Sequence, residues 1–162
     1  MSARRLAVTA GGALLSVALL APSAHAGPVE VEMLDRGPDG NPKVFRPAVV
    51  HVQPGDTVKF VAVDFGHDLQ SIKSLQPEGA KSFNAAKNAG AEVTFEEPGV
   101  HVYQCAAHKT MGMVGVVVVG DPSVNLGAVR DAAKDTDKLS KQGKARLARM
   151  LDTVKTEIAS RQ

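Results

Sequence analysis

The chain has 162 residues, of which 44% are hydrophobic and 4% aromatic, and it contains a single cysteine. It carries 19 Lys and Arg against 17 Asp and Glu. Two of the basic residues, Arg4 and Arg5, lie in the first 26 positions, so the rest of the chain is formally neutral, with 17 charges of each sign. A neutral chain of this length is enough for one compact domain and disfavours a nucleic-acid partner, which would require a basic surface.

The first 26 residues have the pattern of a secretory signal peptide. Arg4 and Arg5 give a basic start, Ala13–Ala21 is an apolar run, and the segment ends in Ala24-His25-Ala26, a small-x-small cleavage pattern. The apolar run is too short and too rich in glycine for a membrane span. We therefore expect residues 1–26 to be removed and the exported chain to begin near Gly27.

Residues 27–121 show short β-branched runs separated by turn signals, of which Pro54-Gly55-Asp56 and Pro98-Gly99 are the clearest. The patterns predict strands over Val29–Met33, Val49–Val52, Thr57–Val63, Val100–Gln104 and Val114–Val119. The last of these is almost unbroken in its apolar character, so we expect it at the centre of a sheet. Several short strands with Pro and Gly turns predict a mainly β fold, either a sandwich or a small barrel.

Residues 122–162 are rich in Ala, Lys, Arg and Asp, have no aromatic residue, and are predicted to be helical. Pro122 stops the last strand, and Ser123 or Asn125 caps a first helix that runs to about Lys134. A second helix is predicted over Leu139–Ala159. Its apolar stripe should pack on the strands as an extension of the same domain, and it comprises Leu147, Leu151, Val154 and Ile158.

The lone cysteine lies in the segment with the strongest chemical pattern. Cys105 is followed by His108, Met111 and Met113 within nine residues. A thiolate, an imidazole and a thioether on one short loop suit copper better than zinc, calcium or magnesium. An isolated cysteine is more often a buried, inert residue, but these neighbours favour a copper site that needs one more nitrogen ligand.

His67 is the best candidate for that ligand, because it follows a strand in a loop that can present its side chain at the edge of the fold. His51 and His101 lie inside predicted strands, where a lone histidine is more often structural. Two histidines, one cysteine and a distant thioether form a blue-copper electron-transfer site. The predicted set is His67, Cys105, His108 and one of the two methionines.

With these residues, the chain resembles the cupredoxins and, among them, the pseudoazurin family. The resemblance runs into the helical tail and covers Val31–Leu34, Pro54–Val58, Val63–His67, Pro77–Ala80 and Cys105–Met113. It implies a cupredoxin Greek-key β-sandwich over residues 27–121, with two C-terminal helices packed on it. The family pattern Cys-x2-His-x4-Met implies that Met113 is the axial ligand and that Met111 belongs to the surface around the site.

The resemblance also implies a soluble, monomeric periplasmic electron carrier with one type 1 copper ion. It is not expected to be an enzyme, because four protein ligands leave no open position for a substrate. His108 should be the exit for the electron, inside an apolar patch of Phe65, Ala106, Ala107, Met111 and Gly112. Copper nitrite reductase and c-type cytochromes are the expected partners, with no membrane and no nucleic acid involved.

Two other functions compete with this one. A periplasmic copper chaperone or storage protein would also bind copper, but it would favour Cu(I) and need not be blue. A cysteine hydrolase with Cys105 as nucleophile and His108 as base is disfavoured by the methionines that follow them.

Several residues depart from the family pattern. Ala106 and Ala107 replace a usual Thr-Pro pair, and we expect the Ala107 N–H to donate to the sulfur of Cys105 and raise the potential. Asp68 replaces an asparagine, which makes the link between the two ligand loops less certain. His101 replaces a tyrosine and is the runner-up ligand. The lysine rim is also thinner, so docking should be more apolar than in the family.

Overall fold

The computed structural model describes residues 27–160, so the predicted signal peptide lies outside the described residues. The strands in this part of the chain are β1 (Val29–Arg36), β2 (Pro42–Arg46), β3 (Val49–Val52), β4 (Asp56–Ala62), β5 (Leu69–Ser71), β6 (Asn84–Ala85), β7 (Ala91–Phe95), β8 (Gly99–Gln104) and β9 (Val114–Val119). Two helices follow, α1 (Leu126–Asp135) and α2 (Lys141–Ala159). The five strands predicted from the sequence are present, with shifts of a few residues at their ends.

The strands form two sheets that pack face to face. One sheet has the order β2-β1-β4-β7 and the other β3-β9-β8-β5-β6. The pairs β1–β4 and β3–β9 are parallel, and the remaining pairs are antiparallel. This arrangement confirms the predicted mainly β sandwich with two C-terminal helices.

Strands β8 and β9 lie in the middle of the second sheet, and every residue in both is buried. Alternate side chains point to opposite faces. Tyr103, Val117 and Val119 enter the core between the sheets, whereas Val100, Val116 and Val118 enter a second core under the helices. The unbroken apolar run of β9 therefore reflects a strand that is covered on both faces, as predicted.

Tyr103 fills the inter-sheet core close to the ligand end of β8. Its ring meets Phe45 and Phe60 edge to face, with centroids 4.7 and 5.1 Å away. Gly115 lies opposite Tyr103 in the β8–β9 register, and a Cβ there would come within 2.5 Å of the ring. The glycine thus leaves room for the aromatic side chain that packs beneath the cysteine loop.

Helix α2 begins at Lys141, two residues later than predicted, because Ser140 caps it by accepting a hydrogen bond from the Gly143 N–H at 3.1 Å. Leu147, Leu151 and Val154 of its apolar stripe are buried. Asn125 precedes α1 as expected, but its side chain bonds the backbone of Val100 on β8 instead of capping the helix. No described helix is long and apolar enough to cross a membrane.

Candidate metal centre

The structure brings three of the predicted ligands together at one end of the sandwich. His67 lies in the loop between β4 and β5, Cys105 directly follows β8, and His108 comes three residues later. Their donor atoms all lie within 4.8 Å of one another. The Cys105 Sγ is 3.3 Å from the Nδ1 of His108 and 4.0 Å from the Nδ1 of His67.

The two sulfur–nitrogen separations lie on either side of the value expected for a trigonal site. Metal–nitrogen bonds of about 2.0 Å and metal–sulfur bonds of about 2.3 Å, as found at zinc, place the donors of a trigonal plane about 3.5–3.8 Å apart. The three side chains therefore fit a copper ion bound between one sulfur and two nitrogens.

Met113 lies at the base of the same loop. It is 1% exposed and belongs to the inter-sheet core together with Cys105. Its carbonyl accepts a hydrogen bond from the Cys105 N–H at 3.0 Å, and its own N–H donates to the His108 carbonyl at 3.4 Å. The backbone thus closes the loop into a compact unit that carries a thioether, a thiol and an imidazole.

The ring of His67 is held from its far side. Its side chain is fully buried, and Nε2 lies 3.0 Å from the Oδ1 of Asp35 on β1. Asp35 is in turn paired with the ammonium of Lys43. Asn88 fastens the loop by accepting from the Gly66 N–H at 2.5 Å and donating its own N–H to the His67 carbonyl at 2.7 Å. A carboxylate behind a histidine fixes the ring and directs its other nitrogen at the metal.

Asp68 ties the two ligand loops together, although its presence in place of asparagine had made this link less certain from the sequence. Its carboxylate accepts from the N–H groups of Ala106 and Ala107 at 2.5 and 3.2 Å. The expected hydrogen bond from Ala107 to the sulfur is therefore wrong, because that N–H is directed at Asp68. The Asp68 N–H donates to the Cys105 Sγ instead, at 3.4 Å.

Burial sets the protonation of the ligands in the copper-free protein. It lowers the pKa of both His67 and His108, although the hydrogen bond that His67 donates to Asp35 works against this at His67. The charge of Lys43 lowers both values further. Burial also raises the pKa of the Cys105 thiol. The imidazoles are therefore neutral and ready to bind a cation near neutral pH, and binding must release the thiol proton.

An apolar surface surrounds the partly exposed His108. Phe65 is 85% exposed and Met111 is 37% exposed, and Ala106 and Ala107 are also on the surface. These four residues are called the apolar patch below. Gly112, which was expected there, is buried, because helix α2 covers it.

The other two histidines of the described region lie outside this cluster. His101 is 3% exposed, and its ring nitrogens face Gln76 Oε1 at 3.1 Å and the Glu97 carbonyl at 2.7 Å. His51 pairs with Glu157 of α2 at 3.0 Å. The structure therefore gives both residues structural contacts, and the runner-up ligand His101 is not brought to Cys105.

Sequence reasoning missed the residues that support the ligands from behind: Asp35, Lys43, Asn88 and Arg146. One of them carries a signal in the sequence. Asp35 follows Val31 and Met33 in the period-two alternation of β1, although it is itself exposed. Arg146 shows none, because the burial of Gly143 one turn earlier is seen only in the structure. Lys43 and Asn88 have left-handed backbones, with φ of 49° and 66°, and no pattern in the sequence predicted that conformation.

The comparison with known proteins decides the family. Residues 31–120 match the copper-binding proteins of the plastocyanin/azurin family. A pseudoazurin from Paracoccus pantotrophus is 42% identical over 138 residues, which covers 85% of this chain and 90% of that protein. The chain belongs to the pseudoazurins.

Solved structures agree with this membership. A pseudoazurin from Sinorhizobium is 41% identical and has a TM-score of 0.72. The match covers 80% of this chain and 97% of that protein. The pseudoazurin from Methylobacterium extorquens is 38% identical and has a TM-score of 0.70. The match covers 78% of this chain and 98% of that protein. Pseudoazurins are copper-binding electron-transfer cupredoxins and not enzymes. Copper is therefore the cofactor, as the cysteine loop indicated.

Proposed function

We propose that this pseudoazurin binds one type 1 copper ion through His67, Cys105, His108 and Met113 and carries single electrons in the periplasm to a terminal reductase, such as a copper nitrite reductase. The observation that carries the proposal is the convergence of one sulfur and two imidazole nitrogens within 4.8 Å, next to the buried Met113. Copper bound there supplies a Cu(I)/Cu(II) couple.

The protein contributes a framework that needs little movement when the electron arrives or leaves. Asp35 orients His67, Asp68 joins the two ligand loops, and the backbone closes Cys105 onto Met113. These contacts should hold the ligands in nearly the same positions in both oxidation states. A small rearrangement lowers the barrier to transfer.

His108 offers the route out of the protein. Of the three clustered donors, it alone is partly exposed, whereas His67 and Cys105 are buried. The apolar patch around it can exclude water from a contact with a partner, and redox contacts of this kind are small and transient. Lys109, the adjacent cation, donates its ammonium to the Asp137 carbonyl at 2.7 Å. Because the exposed surface around His108 is mainly apolar, the rate of docking should depend mainly on apolar contact and only weakly on salt concentration.

Export is proposed on the basis of the leader sequence. Residues 1–26 combine a basic start, an apolar run and a small-x-small ending, and an oxidising compartment suits a chain whose single thiol is a metal ligand. Processing near Gly27 would release the domain described here. Mass spectrometry of the protein recovered from a periplasmic extract would show whether the chain begins at that residue.

The copper site is tested by adding Cu(II) to residues 27–162 and recording the visible spectrum during a redox titration. We expect intense thiolate-to-copper absorption that disappears reversibly on reduction. Met113→Gln should change that spectrum and lower the potential, because an oxygen ligand favours Cu(II). Met111→Gln is the matched control, and a shift in Met111→Gln alone would overturn the choice of Met113.

The same titration separates the carrier from a copper chaperone or storage protein. A chaperone has to release its metal, so its ligands should be accessible, whereas Cys105 and Met113 are 0% and 1% exposed. A colourless protein that binds only Cu(I) would support the chaperone and contradict the carrier.

The partner is tested by mixing the reduced protein with copper nitrite reductase in a stopped-flow instrument. Rapid oxidation that slows in Phe65→Ser would support docking through the apolar patch. Lys81→Ser, at an exposed lysine, serves as the control. A rate that falls steeply with ionic strength would show that charged groups, and not the patch, direct the encounter.

A further inference from the structure

Arg146 of helix α2 directs its guanidinium at backbone carbonyls near the metal centre. It donates to the carbonyls of Lys43 and Pro42 at 2.8 and 2.9 Å, and to that of Gly112 at 3.2 Å. The three acceptors belong to two distant segments, 103, 104 and 34 residues away in sequence. A planar guanidinium with five donors can bridge such a junction, which a single ammonium cannot do with the same geometry.

The Gly112 carbonyl is the contact closest to a ligand. Gly112 ends the short 3-10 turn over Lys109–Met111, has a φ of 71°, and immediately precedes Met113. Helix α2 lies directly on it, since a Cβ at Gly112 would come within 2.7 Å of the Gly143 nitrogen. The residue before the axial methionine is thus held both by backbone packing and by the Arg146 hydrogen bond.

Other hydrogen bonds of Arg146 connect it to the residues that hold His67. Lys43 has a φ of 49°, a left-handed conformation that is unfavourable for a residue with a side chain. Arg146 bonds the carbonyl of this residue and that of its neighbour Pro42. The Lys43 ammonium pairs with Asp35, whose carboxylate lies 3.0 Å from the His67 ring. The contacts of one guanidinium therefore extend to two ligands on different loops.

We propose that Arg146 is a positioning residue of the copper centre, which fixes the Gly112–Met113 backbone relative to the loop of His67. This inference rests on the proposed ligand set. It gives helix α2 a role at the site, whereas its sequence had indicated packing alone. No side chain of α2 needs to touch the metal, because the effect passes through the backbone of Gly112.

The decisive experiment compares Arg146→Met with Arg149→Met. Arg149 lies one turn further along the same helix, is exposed, and loses the same charge on substitution. In Arg146→Met we expect the ratio of the two thiolate-to-copper bands and the reduction potential to change. Arg149→Met should retain both. Arg146→Lys should lie between the wild type and Arg146→Met, since an ammonium can recover part of the bonding.

A copper-free measurement keeps this test independent of the proposed function. Amide hydrogen exchange at Gly112 and Met113 in apo Arg146→Met should accelerate by about tenfold or more, the factor expected when a charge-assisted hydrogen bond is lost. Arg149→Met should leave these amides unchanged. If the wild type failed to form a blue site, the copper proposal would fail, and the exchange data would still test the link between α2 and the loop.

The opposite result is equally clear. Arg146→Met could lower the unfolding temperature while its spectrum, potential and loop exchange stayed equal to those of Arg149→Met. Arg146 would then only attach the helix, and the positioning role would be wrong.

Discussion

His67 and His101 are both buried, but only His67 lies in the cluster of candidate copper ligands. At His101 both ring nitrogens face protein oxygens, from Gln76 and the Glu97 backbone. At His67 one nitrogen faces Asp35, and the other points at the sulfur of Cys105 from 4.0 Å. His101 is closer to the cysteine in sequence, yet His67 is the one in the cluster. A metal site is therefore marked by nitrogens that the protein leaves available and convergent, not by the burial of a histidine.

The largest expected effect separates these two histidines directly. His67→Ala should abolish the blue absorption and reduce copper affinity by more than about a hundredfold, since even residues that only support a ligand are worth 10–100-fold. His101→Ala should lower stability but retain the blue spectrum, because its ring contacts no ligand. Visible spectra and copper titrations of both variants measure this. A blue His67→Ala together with a colourless His101→Ala would reverse the assignment.

The next effect concerns Asp68, which links the loops through two backbone N–H groups. Asp68→Ala removes both hydrogen bonds, but the two donors lie on the surface and can bond water, so we expect a loss of about 0.5–1.5 kcal/mol in the free energy of unfolding of the apo protein, measured by urea denaturation. Asp68→Asn keeps one carbonyl oxygen as acceptor and should lose less. Exchange of the Ala106 and Ala107 amides should rise in the same order. Equal stability for all three proteins would show that the loops are held by other contacts.

The smallest effect is a dependence of stability on pH in the copper-free protein. Burial lowers the pKa of His67, His101 and His108 in the folded state, whereas the unfolded state titrates near 6.5. Below about pH 6.5 the unfolded chain therefore binds more protons. The contribution of these three histidines to the free energy of unfolding is complete above about pH 6.5. It is lost as the pH falls through their lowered pKa values in the folded state.

Urea denaturation from pH 7 to pH 5 measures this loss. His101→Phe, which removes one of the three groups, should show a shallower decline with pH. Copper loading should suppress part of the decline, because a bound metal excludes protons from His67 and His108. A stability that rises on acidification would mean that these rings are charged in the folded protein.

Much of the fold was predictable because its signals are local. The central strand Val114–Val119 has the same bounds in the structure as in the prediction, since a strand covered on both faces needs an unbroken apolar run. Turn residues located the neighbouring strands. The prediction missed β2, β5, β6 and β7. The first and last of these are edge strands of the first sheet, and β5 and β6 have three and two residues, so none shows a long pattern.

The sequence by itself indicated the chemistry of the site, because a cysteine, a histidine and two methionines lie on one short loop, and the resemblance to the family then pointed to Met113. His67 could be selected because it is a loop histidine. Only the tertiary structure decided how the ligands are held. Asp35, Asp68 and Arg146 reach them from β1, a second loop and α2, through contacts separated in sequence by 32, 38 and 34 residues. Contacts of this kind produce no periodic pattern in the sequence, because they depend on how the packed sheets and helices position the backbone.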